Sequence, residues 1–301
     1  MRRLWSGVTL ALVMTVAGAG ELSAQTSSIE RALERAGRAL ERAFDGMGRV
    51  MERAFDRGSD AVLVQAADDF RWTGRLDRGQ ILEVKGLNGD VVVERASGSD
   101  VEVTATAHAR RSDPDEVRVE LVEHGEGVTI CAVYPTPRGE RENYCAPGSE
   151  GRMNNRNNDT QVRFVVRLPE GVRLAGRTVN GDVEALGLAS DVTLTTVNGD
   201  VDVATTGYAE ASTVNGSIEA RMGRMDPDGG LSFKTVNGSV TLDLPDDVDA
   251  DLDARWVNGG LESDLPFRME GRMTRHRAQG VLGRGGPELS VTTVNGSIRI
   301  R

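Results

Sequence analysis

The chain has 301 residues, a formal net charge of −10, 4% aromatic residues and two cysteines. Such an acidic balance argues against nucleic acid and anionic lipid as partners, because both are bound by clustered positive charge. Nearly all the basic residues are arginine, Lys85 and Lys234 being the lysines, and no functional conclusion follows from that.

Arg2 and Arg3 precede an apolar run from Val8 to Ala19 and a small-residue stretch, Leu22-Ser23-Ala24-Gln25. Residues 1–24 therefore read as a secretory signal peptide cleaved after Ala24. A run of about 12 apolar residues is too short for a hydrocarbon core that needs about 20. No cysteine lies near the cleavage region to carry a lipid, and no later stretch is apolar and long enough to span a bilayer. Export to the periplasm, cell surface or extracellular space is expected, with no membrane span after cleavage.

Residues 25–58 carry apolar side chains at Ile29, Leu33, Ala36, Leu40, Ala43, Met47, Val50 and Ala54, in alternating steps of four and three. This is a heptad seam and predicts an amphipathic helix. Glu34/Arg38 and Asp45/Arg49 add favourable pairs four residues apart. Gly46 and Gly48 weaken its middle by about 1 kcal/mol each relative to alanine. Two roles stay open: a helix packed on the body, or a coiled coil that makes a homo-oligomer through residues 27–57.

Residues 59–80 read as a connector. From Ile81 the pattern becomes one of strands: residues 101–107, 117–121, 128–130 and 162–168 alternate or run in β-branched residues between Gly, Pro, Asp and Asn breaks. Between Pro135 and Asp159 lies a polar insertion containing Asn154-Asn155-Arg156-Asn157-Asn158, expected as an exposed loop. Cys131 and Cys145 flank its start. In an exported chain they are expected to form a disulfide, closing a ring of about 15 residues and contributing about 3 kcal/mol. A metal site is the weaker reading, since no histidine or further cysteine stands nearby to complete it.

The motif Thr-Val-Asn-Gly-(Asp/Ser)-(Val/Ile) recurs at residues 178–183, 196–201, 213–218, 235–240 and 293–298, with weaker copies at 86–91 and 256–261. Asn180, Asn198, Asn215, Asn237 and Asn258 follow one another at steps of 18, 17, 22 and 21, and Asn295 comes 37 later. The double step implies a degenerate rung or a hairpin near residues 279–283. Three apolar columns align on the asparagine. One is Val179, Val197, Val214, Val236, Val257 and Val294; a second is Val183, Val201, Ile218, Val240, Leu261 and Ile298; a third is Leu174, Leu194, Ala211, Phe233, Ala254 and Val291. From Leu194 on, the third stands three residues before the first, so the chain must turn a corner near Thr-Val. Gly181, Gly199, Gly216, Gly238, Gly259 and Gly296 are expected to supply a positive φ there.

An all-β fold is thus expected: a β-solenoid (β-helix-like) of stacked ~20-residue repeats over residues 81–301, its corner asparagines hydrogen-bonding up the axis as a ladder. An antiparallel meander is the rival, because Asn-Gly is also a strong hairpin signal. The Thr-Val-Asn-Gly-Asp-Val units, their spacing and the closing run 289–300 resemble a bacterial putative-adhesin family of all-β Gly-Asp repeats. That resemblance implies a β-helix-like body at or beyond the envelope. Gly-Asp itself survives only at Asp90, Asp182 and Asp200.

No cofactor or metal is expected. Asp182 and Asp200 stand one rung apart and could share a proton or calcium, which makes a carbohydrate-active enzyme the alternative function. As turn residues capping backbone amides they need no such role. His108, His124 and His276 have no metal-ligand spacing, and no nucleophile elbow or phosphate-cradling loop is present. Trp72, Tyr134, Tyr144, Tyr208 and Trp256 are the aromatics a sugar could stack on, Trp256 standing where other rungs have threonine. The acidic stretch 246–251 lacks the ligand positions of a known calcium loop. The expected function is therefore a non-enzymatic binding or structural module of the cell envelope, with a protein or polysaccharide ligand. A third reading, an oligomeric envelope-stress or sensor component, depends on residues 27–57.

Overall fold

The structure, a computed structural model, describes residues 61–67, 70–226, 229–269 and 274–301. The signal peptide expected at 1–24 and the helix expected at 25–58 lie outside the described residues.

In chain order the strands are β1 (Ala61–Ala66), β2 (Arg71–Gly74), β3 (Ile81–Lys85), β4 (Val91–Arg95), β5 (Val101–His108), β6 (Arg118–His124), β7 (Gly127–Val133) and β8 (Gln161–Leu168). The repeats follow with β9 (Arg173–Arg177), β10 (Val183–Leu188), β11 (Val192–Thr195), β12 (Val201–Thr205), β13 (Ala209–Ser212), β14 (Ile218–Met222), β15 (Leu231–Lys234) and β16 (Val240–Asp243). The remainder are β17 (Ala250–Arg255), β18 (Leu261–Ser263), β19 (Phe267–Met269), β20 (Arg277–Leu282), β21 (Glu288–Thr292) and β22 (Ile298–Ile300). They form a 12-stranded sheet, A, in the order β1-β6-β7-β3-β9-β11-β13-β15-β21-β17-β20-β19, and a 10-stranded sheet, B, in the order β18-β22-β16-β14-β12-β10-β4-β8-β5-β2.

Each rung gives one strand to each sheet, joined at the Asn-Gly corner. Rung pairs are parallel and in register, as in Val183 against Val201 and Val201 against Ile218. Successive corner asparagines also form parallel bridges. This is the solenoid arrangement, and it excludes the meander for the repeats. The two strands 61–66 and 71–74 fall inside the segment read as a connector, so the sheets begin before Ile81.

Inward side chains fill the space between the sheets. From sheet B come Val183, Val201, Ile218, Val240 and Ile298, all buried, and from sheet A come Leu194, Ala211, Phe233, Val291 and Ala254. Burying each large aliphatic here stabilises the body by about 1.5–3 kcal/mol. Gly176, and not Leu174, holds the third column beside Leu194, since Leu194 pairs with Gly176 and Leu174 with Val192. A Cβ on Gly176 would stand 3.0 Å from Leu194 Cδ2, so the small residue leaves room for its neighbour.

Rungs do not stack in strict chain order. The last one, β21 and β22, lies between the rungs of β15/β16 and β17/β18. The double step before Asn295 is filled by a hairpin: β20 runs antiparallel to both β17 and β19. At the other end the rung of β3 and β4 is likewise inserted, between β7/β8 and β9/β10.

Candidate functional site

At the corner, three polar side-chain positions repeat, and each is satisfied by the adjacent rung. Asparagine Nδ2 donates to the Oδ1 of the neighbouring asparagine: Asn180 to Asn88, Asn198 to Asn180 and Asn215 to Asn198, at 2.7–2.8 Å. The row continues with Asn237 to Asn215, Asn295 to Asn237 and Asn258 to Asn295. Asn295 thus sits between Asn237 and Asn258, and Asn88 belongs to the same row.

The threonine preceding each Val-Asn-Gly points inward. Thr178, Thr196, Thr213, Thr235 and Thr293 are buried, and each Oγ1 donates to the carbonyl of an adjacent-rung glycine. Those acceptors are Gly89, Gly181, Gly199, Gly216 and Gly238, at 2.7–2.9 Å. A buried hydroxyl without such a partner would be costly. The valines read as the first core column are half-exposed instead, except buried Val294. Parity explains the reversal: Thr196 lies two residues after Leu194 and Thr235 two after Phe233, so period-two alternation puts threonine on the core side. The turn falls after it, within Val-Asn-Gly.

Glycine is needed for closeness more than for handedness. A Cβ would stand 2.0 Å from Gly181 O at position 199, 1.9 Å from Gly199 O at position 216 and 1.9 Å from Gly216 O at position 238. None of these three has a positive φ, whereas Gly89 (φ 115), Gly181 (φ 159), Gly259 (φ 146) and Gly296 (φ 159) do. The expectation that a positive φ selects glycine throughout is corrected accordingly.

The aspartates cap backbone amides. Asp90 Oδ1 accepts from Asp182 N at 3.0 Å, Asp182 Oδ1 from Asp200 N at 2.8 Å, and Asp200 Oδ1 from Ser217 N at 2.7 Å. In later rungs Ser217 and Ser239 do the same with Oγ, at 3.2 Å. Asp182 and Asp200 are thus links in one structural row. In the acidic stretch, Asp249 accepts from the backbone N–H and guanidinium of Arg284. Trp256 is buried in the threonine position of its rung, so it offers no open face. Tyr208 lies under Arg224, 5.0 Å from its centroid, and Trp72 packs on the core. His108, His124 and His276 stand on separate strands or turns.

A different constellation occupies the outer face of sheet A. Register places Glu83 beside Thr129 and Lys85 beside Cys131, with Arg177 beyond Lys85. The insertion 135–159 folds back over these residues. The Cys131–Cys145 disulfide ties it down, packing with Val122, Val133 and Met153 in a small second core. Glu83, 2% exposed, is its fulcrum. Its Oε2 accepts from Thr129 Oγ1 at 3.0 Å and from Gly148 N at 2.8 Å, and lies 3.4 Å from Lys85 Nζ. Lys85 also donates to Ala146 O and Gly148 O. Burial pushes the Lys85 ammonium below its ordinary pKa, and the Glu83 carboxylate opposes that shift. Tyr134, buried, donates to Thr160 O at 2.8 Å, and its pKa is raised to about 12, chiefly by burial.

The insertion is therefore a packed flap as well as a surface loop, because charged side chains of the sheet satisfy its carbonyls and amides. Sequence reading singled out neither Glu83 nor Lys85 as a site residue, and Tyr134, named there as a stacking surface for a sugar, is buried with its hydroxyl on Thr160 O. The signal available was a glutamate inside the apolar run Ile81-Leu82-Glu83-Val84. Between flap and sheet lies a cleft of about 340 Å³, with Leu87, Val179 and Val197 on one side and Tyr144, Ala146 and Met153 on the other. Tyr144, 49% exposed, is the one sequence-named aromatic at its mouth.

Comparison with known proteins bears on the fold. No curated protein matches the chain. Among solved structures it is similar to a protein described as a putative cell adhesion protein from Clostridium sporogenes ATCC 15579. That match has 9% identity, a TM-score of 0.39, and covers 77% of this chain and 98% of that one. It is also similar to a protein described as a putative adhesin from Bacteroides fragilis NCTC 9343, with 11% identity, a TM-score of 0.32, and coverage of 81% and 98%. Residues 170–301, the stretch that carries the inward threonines and most of the asparagine row, match the family model described as Toastrack DUF4097.

Proposed function

We propose that this chain is an exported, non-enzymatic binding module of the cell envelope, in which the solenoid is a rigid scaffold and the flap-covered cleft receives a protein or polysaccharide ligand. The observation that carries this reading is the division of labour among polar groups. The repeated Asn, Thr, Asp and Ser side chains are engaged by the next rung, while the cleft keeps apolar walls, an exposed tyrosine and a fixed rim. Concave, largely apolar sites with a few polar groups are where proteins hold ligands. The adhesin descriptions of the two solved structures belong to those proteins and add only consistency.

The test uses the purified chain as bait on envelope fractions separated into protein and polysaccharide. Val179→Arg and Val197→Arg, at half-exposed cleft positions, should abolish retention of the ligand-bearing fraction, while Asp182→Ser with Asp200→Ser should leave it unchanged. Equal retention by all variants would refute the cleft. Loss of a measured hydrolytic or lyase activity in the aspartate double variant would replace the binding reading with the enzymatic one.

A further inference from the structure

The chain contains seven Asn-Gly pairs in one kind of corner, and the structure treats six of them alike. Gly89, Gly181, Gly199, Gly216, Gly238 and Gly296 each donate their backbone N–H to an asparagine carbonyl of the adjacent rung, at 2.8–3.0 Å. Asn258–Gly259 closes the row. No further Asn-Gly rung follows it, and among the described residues the Gly259 N–H has no acceptor. Asn180, Asn198, Asn215, Asn237 and Asn295 are each held on both sides, donating from Nδ2 and accepting at Oδ1, and Asn88 accepts from Asn180 and donates to Thr160 O. Asn258 donates to Asn295 and accepts from no other amide of the row. Both Asn258 and Gly259 are exposed.

We propose that Asn258–Gly259 is a site of spontaneous modification, deamidating through a succinimide while the other six pairs are protected by the stack. In this reaction the Gly259 nitrogen gives up its proton and bonds to Asn258 Cγ. The Cγ–Nδ2 bond breaks, and the side-chain nitrogen leaves as ammonia, carrying that proton with its own two. Water then opens either of the two C–N bonds of the five-membered ring, giving aspartate or isoaspartate. No oxidant or metal is required.

Protection follows from what must move. At an interior corner the attacking nitrogen has to surrender its hydrogen bond to the neighbouring carbonyl. The side chain has to leave two amide partners to bring Cγ over the backbone. At Asn258 one side-chain bond is broken and the backbone bond is already missing. Two ordinary hydrogen bonds fewer make that motion about tenfold more frequent or better. Glycine adds no side chain to hinder the attack, and that condition is common to all seven, so the stack alone sets the difference.

The product also matters to the rung. A carboxylate at position 258 loses the Nδ2 donor and faces Asn295 Oδ1 with a like dipole, and the isoaspartate form lengthens the backbone at the corner. Both loosen the β17–β18 rung.

The experiment holds the full chain in mildly alkaline buffer, then maps its peptides by mass spectrometry over time, with isoaspartate counted by enzymatic methyl labelling. A urea-unfolded sample run in parallel supplies the intrinsic rate of each pair. Conversion in the folded chain is expected first at Asn258, about tenfold or more ahead of the mean of the other six, and that lead should vanish in urea. Equal conversion at all seven in the folded state, first conversion elsewhere, or an Asn258 lead that persists in urea would each overturn the proposal.

Discussion

The repeated rungs and the region around β3, β6 and β7 are held together by opposite means. In the rungs, Thr213 caps Gly199 as Thr196 caps Gly181, and Asn215 bonds Asn198 as Asn198 bonds Asn180. Around β3 nothing repeats: one carboxylate, Glu83, gathers a threonine, a lysine and the flap amide Gly148, and one disulfide closes the ring above them. The contrast implies that damage to a rung is a matter of shape, felt wherever two backbones touch. Damage to the β3 region is a matter of charge and covalency, and should stay near the flap.

That contrast is broken most sharply by Gly216→Ala. The new Cβ would meet Gly199 O at 1.9 Å, so the rungs must separate. We expect a loss of about 4 kcal/mol or more, and little folded protein by circular dichroism. Glu83→Ala should cost about 3–5 kcal/mol, since it strands the half-buried Lys85 and the Gly148 amide. Protease cleavage should move to residues 135–159 while amide exchange in β11–β16 stays unchanged. If β11–β16 exchange rises as well, the two regions are one cooperative unit and the contrast fails. Reducing Cys131–Cys145 should cost about 3 kcal/mol by the chain-entropy model, with the same local signature in proteolysis.

Thr213→Val keeps the shape and removes the hydroxyl, leaving Gly199 O without its side-chain donor. About 1–2 kcal/mol should be lost in chemical denaturation, and a neutral result would demote the threonine row to filler. The smallest effect has the opposite sign. On the outer face of sheet B, Asp202 stands in register between Glu184 and Glu219; partial desolvation first, and then these two carboxylates, raise its pKa. A raised carboxyl pKa means the folded state binds the proton more tightly, so wild-type stability gains as pH falls through that value towards the ordinary one. Asp202→Asn should therefore stabilise by about 0.5 kcal/mol at neutral pH, with the gap closing in acid. A gap that widens in acid would contradict the assignment.

How much of this could be read beforehand follows the same division. Identical residues lying on top of one another leave a period in the sequence, so the solenoid and its asparagine row were visible from the recurrence of Thr-Val-Asn-Gly. Which of Thr and Val faces inward was missed because hydrophobicity was given precedence over parity, and a buried threonine hydroxyl satisfied by a glycine carbonyl outweighs that preference. The inserted position of Asn295 could not be read at all: the motif is the same in every rung, so it carries no address. Glu83 and Lys85 occur once each, and a residue whose role depends on a flap some 60 positions away in sequence leaves no local pattern.

The inserted rung has a mechanical consequence. In a rod that grows outward one coil at a time, deleting a coil shortens it. Here, taking away residues 288–300 would cut the rod internally, because β15 and β17, and likewise β16 and β18, reach each other only through that segment. It works as a keystone laid after its two abutments. The seating of β17 and β18 on the rest of the rod therefore rests on those thirteen residues, with which both strands pair.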